Sequence, residues 1–345
     1  MTRSGFTVAA ILLALAVGAA PAGAQTPFDP PRLPDGRPDL QGVWDFRTLT
    51  PLERPADLAD QAIYREEEAA AIEAEAAAQS AASLAPTTER SVLPVGGDVG
   101  AYNSYWMDQG ARLVEDQRTS LIVDPSDGRV PPLQPGAVNQ VLSLSEDVGG
   151  SLPVRVRSAG ISADSHEARG LAERCILGFN TGPPILPGFY NQNIQLFQTG
   201  DHVVVLHEMI HDARIVPLDG RAHVPEHIRQ WMGDSRGYWE GDTLVVETTN
   251  FTDKVASFNP TVATAAGTGA TLHLTERFSL VAEDTLQYEY TVNDPTTFTR
   301  PFSAVLLMKR GGTLYEYACH EGNYGLYNQL AGARQEERER ADAGE

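Results

Sequence analysis

The chain has 345 residues, 42% of them apolar, 21% charged and 8% aromatic, a balance found in globular proteins and not in disordered ones. Lys and Arg number 26 and Asp and Glu 46, a formal charge of −20. Such a surface repels phosphate backbones and anionic headgroups within a Debye length, which argues against nucleic acid and acidic membranes as partners.

Arg3, an apolar stretch from Phe6 to Val17 and the small-residue site Ala22-Gly23-Ala24 read as a secretory signal peptide over residues 1–24. The apolar run is short of the ~20 residues that cross a bilayer, so the mature chain is expected off the membrane, periplasmic or secreted. Residues 25–41, rich in Pro, follow as an extended arm, then a short strand at Gly42-Val43-Trp44-Asp45-Phe46. Ala and Glu dominate 57–83 without Gly or Pro, which predicts one long helix with a weak apolar face. Thr119–Asp124 reads as a strand, and the Pro-, Gly- and Ser-rich stretch 125–170 as a long irregular connection. From Asn193 the pattern is β. Strand-like runs occupy Ile194–Gln198, His202–Met209, Ala213–Leu218, Asp242–Thr249, Thr271–Val281, Thr285–Val292, Phe302–Lys309 and Thr313–Cys319, with turns at Thr199-Gly200-Asp201, Glu240-Gly241-Asp242 and Glu283-Asp284. The segment Ser257–Ala270, rich in Gly, Ala and Thr, reads as a loop, either a lid or an insertion.

Cys175 and Cys319 are the two cysteines, and in an exported chain without CxxC spacing they read as one structural disulfide, with two buried thiols as the alternative. The bridge would close a loop of about 145 residues, worth up to ~5 kcal/mol in the chain-entropy model.

Asp39-Leu40 ahead of Gly42-Val43-Trp44 resembles the GxW entry strand of lipocalin-like (calycin) barrels, whose tryptophan closes one end of the barrel. That resemblance implies a mainly β, antiparallel barrel with strands mainly at 42–50 and 172–330, here with an added N-terminal helix and long irregular insertions. Arg118–Asp124, Glu208–Arg214, Gly233–Gly237, Thr243–Phe251 and Tyr315–Tyr324 also resemble an uncharacterised family of exported bacterial proteins, which implies no activity.

Two stretches match zinc-protease patterns, His207-Glu208-Met209-Ile210-His211 and His223-Val224-Pro225-Glu226-His227. A helix brings i and i+4 imidazoles within about 6 Å, whereas on a strand they stand ~13 Å apart with the intervening Glu on the other face. The flanks Val203–Leu206 and Ile215-Val216 are strand-like, so this pair is not expected to chelate one ion. A zinc-dependent hydrolase using the His202–His227 cluster remains one reading, and the preferred one needs no cofactor or metal.

Strand alternation exposes polar residues in apolar rows. Glu276 interrupts Leu272, Leu274, Phe278 and Leu280, and needs a partner from another strand because Arg277 points the opposite way. Val204, Leu206, Glu208, Ile210, Asp212 and Arg214 form a second row, and Leu314, Glu316, Ala318 and His320 a third, followed by Tyr324. Turned inward, these rows would give a barrel cavity for a small-molecule ligand or substrate. Glu276 and Asp212 would act as acid or base with His211 or His320, while Arg214, Arg236, Glu316, Tyr288, Tyr290 and Tyr324 would bind the substrate. The expected function is a lyase, isomerase or hydrolase; the alternative is a non-catalytic carrier for a small apolar or aromatic ligand, and the structural reading of Glu276, Asp212 and Arg214 is internal salt bridges that fix strand register.

Overall fold

The computed structural model describes residues 28–85, 107–108, 110–141, 164–262 and 264–344. The signal peptide, the first residues of the arm and most of the second half of the 125–170 connection lie outside them.

Alternating apolar residues make the strands. In chain order these are β1 (Gly42–Asp45), β2 (Ile122–Asp124), β3 (Asn139–Val141), β4 (Asn193–Gln198), β5 (His202–His207), β6 (Ala213–Pro217), β7 (Asp234–Glu240), β8 (Thr243–Thr249), β9 (Thr264–Ala266), β10 (His273–Ala282), β11 (Thr285–Asn293) and β12 (Phe302–Arg310). The helices are α1 (Glu66–Leu84) and α2 (Tyr324–Ala343). Nine strands follow one another as β6-β5-β4-β1-β12-β11-β10-β8-β7, β2 adds to β12, and β3 pairs with β9 separately. Every ladder is antiparallel, and the sheet curls into a nearly closed barrel.

The strand count decides how the barrel closes. Direction alternates across the nine strands, so the outer two, β6 and β7, run the same way, and a parallel pair cannot be joined by a tight hairpin. Residues 218–233 instead run back from the end of β6 to the start of β7. No ladder links β6 to β7 among the described residues; they meet by side-chain packing. Gly237 sits at that contact, where an added Cβ would lie 2.7 Å from Leu218 and 2.8 Å from Val216.

The barrel interior is filled. Trp44, Phe278, Tyr288, Tyr290, Phe258 and Phe302 are all fully buried, with Leu and Val from every major strand between them. The Trp44 indole N–H donates to the Leu40 carbonyl at 2.9 Å, and the Arg310 guanidinium lies 4.1 Å over its ring. This packing replaces the calyx expected from the sequence.

Several boundaries differ from expectation. The barrel strands after β1 and β2 begin at Asn193 and end at Arg310, not at 172 and 330. Thr313–Cys319 is not a strand, because β12 is already paired by β11 on one side and by β1 and β2 on the other; its cysteine instead joins Cys175 in the expected disulfide, with S–S 2.01 Å. The helix expected over 57–83 begins at Glu66, where the Glu68 carboxylate accepts from the Arg65 backbone N–H. Ser257–Ala270 contains β9 and the buried Phe258, so it is part of the packed body. Four elements differ from the sequence expectation: β3, inside the stretch expected to be irregular, its partner β9, β7, whose alternation is broken by Gly237, and α2, capped by Asn323 accepting from Leu326 N–H.

Candidate functional site

Glu276 points inward from β10 and is 0% exposed, in the row read from the sequence. Its partner comes from β6: Arg214, 4% exposed, donates through Nη1 to Oε2 and through Nη2 to Oε1 at 2.9 Å. The Tyr288 hydroxyl donates to Oε1 at 2.8 Å and accepts from the Ile185 backbone N–H at 3.0 Å. Burial opposes the Arg214 charge, but the attraction and hydrogen bonds of Glu276 outweigh it and raise the guanidinium pKa. Burial raises the Tyr288 hydroxyl well above its ordinary value, and the Glu276 charge adds to that, so it remains a neutral donor. Arg214 and Glu276 thus link the two sides of the unpaired seam where ladder bonds are lacking. Two N–H groups of the guanidinium are engaged; its Nε–H is buried with no acceptor among the described residues.

A cleft of about 550 Å³ opens beside this pair. One wall is the start of β6, Asp212 to Ile215; the other is Arg229 to Ser235, which leads into β7; Ile176 and Leu177 complete it. The seam makes the cleft, since two strands joined by a ladder leave no such gap. Trp231 and Met232 pack half-buried on the core. Arg229 donates through Nη1 to the Phe251 and Ala270 carbonyls at 2.9 and 2.8 Å. Asp234 is buried and committed: it meets His223 Nδ1 at 2.9 Å, the Val224 N–H at 3.1 Å and Arg236 Nη1 at 2.7 Å.

Of the residues expected to share one cavity, Asp212 and Arg214 line the cleft, with Glu276 and Tyr288 behind Arg214. The others lie elsewhere. Tyr290 is fully buried against Phe258, with ring centroids 6.4 Å apart, and its hydroxyl has no partner among the described residues. Arg236 lies on the other side of β7 from Ser235 and holds Asp234 and the Ala222 carbonyl. Glu316 and His320 are exposed on the irregular segment after β12, and Tyr324 is 73% exposed at the start of α2. The third row therefore never faces a barrel interior. The second row was read out of phase: Val203, Val205 and His207 face inward on β5, while Val204 and Leu206 do not. A tight turn after β5 resets the phase, with Ile210 and His211 both at positive φ, so Arg214 aligns with Val205.

That turn contains the first histidine pattern. His207 is buried at the end of β5, while His211 is exposed with Nδ1 3.2 Å from the Tyr317 carbonyl. Glu208 is buried, accepting from Asn193 Nδ2 at 2.7 Å and from the Tyr315 N–H at 3.2 Å. Met209 and Ile210 of the turn pack with Cys175, Tyr317 and Cys319. The pattern thus anchors a turn. Among the described residues no group of three His, Cys, Asp or Glu is placed to hold a metal ion.

A second cavity, about 350 Å³, is bounded by Thr48–Leu52, Leu121, Leu186–Phe189 and Pro260–Val262, and no ionisable side chain lines it. Sequence reading missed Arg229 and Trp231. Their only signal was a cation and an aromatic residue side by side in a segment with no strand pattern, and nothing local says that this segment borders a gap. Compared with models of protein families, with characterised proteins and with solved structures, the chain gives no match.

Proposed function

We propose that the protein binds a small organic molecule in the seam cleft. The observation that carries this reading is a cleft of about 550 Å³ in which a half-buried tryptophan stands beside a guanidinium fixed by a buried carboxylate. That volume is within the range of small-molecule sites. The disulfide supports an oxidising, exported setting for this binding. Ligand-observed NMR of a fragment library against wild type and Trp231→Ala tests it. Hits that vanish in the variant support the cleft; hits indifferent to Trp231 overturn it.

Catalysis is the second reading, favoured by one observation: Asp212 is half-buried and lines the same cleft as Arg214, two residues away in sequence. A carboxylate there suits general acid or base work on a ligand held by the arginine, as in a lyase, isomerase or hydrolase. Fragments that bind should then be consumed on incubation, and Asp212→Asn should slow their loss by about a hundredfold or more while sparing affinity. Binding without turnover leaves a carrier.

A further inference from the structure

We propose that the ligand of the seam cleft is a small organic monocarboxylate with an apolar or aromatic body. This inference rests on the cleft being the binding site and adds the chemistry of its occupant.

Two observations call for an oxygen anion. The Arg214 Nε–H is buried without an acceptor while the rest of its fork is held by Glu276, and a buried donor with nothing to donate to is costly until an acceptor arrives. Arg214 is itself a wall of the cleft, so its guanidinium is the nearest buried donor to an entering ligand. Independently, Arg229 lines the same cleft and forms no ion pair among the described residues; its two acceptors are backbone carbonyls, which carry partial charge only. Arg214 is already neutralised by Glu276, so Arg229 is the arginine of the cleft without an ion pair among the described residues. One such charge matches one carboxylate, with the charge-assisted geometry that arginine favours.

The rest of the cleft sets the body. Trp231 and Met232 on one side and Ile176 and Leu177 on another present apolar surface suited to a ring or a short chain. Asp234 is spent on His223, Val224 and Arg236 and takes no part. A dianion such as a phosphate monoester is disfavoured because one arginine of the cleft lacks an ion pair among the described residues, and by a chain at −20.

The test is a titration of the full chain with matched pairs: phenylacetate against phenylacetamide, benzoate against benzamide, and hexanoate against hexanamide, followed by calorimetry. The acids are expected to bind at least about tenfold more tightly than the amides, and Arg229→Gln to remove that preference while leaving amide binding intact. Arg214→Met alone strands Glu276 in the core, so the paired Arg214→Met/Glu276→Met is used, with circular dichroism to confirm its fold. It too is expected to lower acid affinity. Equal binding of acids and amides, absence of acid binding, or acid affinity unchanged in both variants overturns the proposal. The two failures separate at Trp231→Ala: amides that still bind wild type but not this variant overturn the carboxylate and leave the cleft as a binding site, whereas indifference of every probe to Trp231 overturns the cleft as well.

Discussion

The barrel wall from β1 through β12, β11 and β10 to β8, and the seam between β6 and β7, are made of similar strands yet behave as opposites. The wall is stitched by continuous antiparallel ladders and its inner face is aromatic and aliphatic, with Tyr288, Tyr290, Phe278 and Phe302 in contact. At the seam, two strands run in the same direction without ladder bonds, pack through a glycine, and are tied across the interior by an ion pair. Continuous ladders and a filled face belong to the wall, and the opening and the buried ion pair belong to the seam. An odd number of alternating strands leads to that division, because its outer two are parallel.

The largest effect is expected at the seam clasp. Glu276→Leu leaves Arg214 buried without a counter-charge and should cost about 3–5 kcal/mol in denaturant unfolding, whereas replacing both members by Met should recover most of it. A small loss in the single variant would show that the pair ties nothing. Next comes the bridge that holds the segment after β12 against the turn before Asp212. Cys175→Ser/Cys319→Ser should lower stability by about 2–4 kcal/mol and also weaken ligand binding, since the Met209-Ile210 turn packs on that disulfide. Unchanged affinity would separate the turn from the cleft.

Gly237→Ala forces a methyl group against Leu218 and Val216 across the seam and should cost about 1–3 kcal/mol by overpacking. A neutral result would mean that the seam already moves apart with ease. Arg310→Ala sharpens the comparison from the other side: it uncovers Trp44 and removes the hydrogen bond to the Gln41 carbonyl, so about 1 kcal/mol of stability should go while ligand affinity stays. The smallest effect concerns pH. Burial works against the Asp294 carboxylate at the end of β11, but hydrogen bonds from Thr297, Thr296 and Thr271 more than offset it and hold its pKa below the ordinary value. Its contribution is therefore complete above the unfolded carboxylate value of about 3.9 and is lost as pH falls through the lower folded value. Thermal melts of Asp294→Asn should converge on wild type at the acid end of that range. A gap between them that persists there would assign the effect to something other than ionisation.

Much of this was legible before folding was considered. Alternation placed Glu276, Leu274, Phe278, Tyr288 and Tyr290 on inner faces, and the cost of a buried carboxylate required a partner from a distant strand. The same logic failed for Glu316 and His320, where a strand-like run follows a strand already paired on both sides, and for β5, where two positive-φ residues reset the phase that fixes the inner row. Composition and period 2 by themselves determined that the chain builds an antiparallel β body with one surface helix near its N-terminus, because side-chain direction and local propensity act over a few residues. Tertiary structure alone decided that Arg214 is the partner of Glu276, that the tyrosines fill the interior, and that Arg229 and Trp231 face Asp212 across a gap. Those relations depend on how strands far apart in sequence close around one another, and closure is a property of the whole sheet.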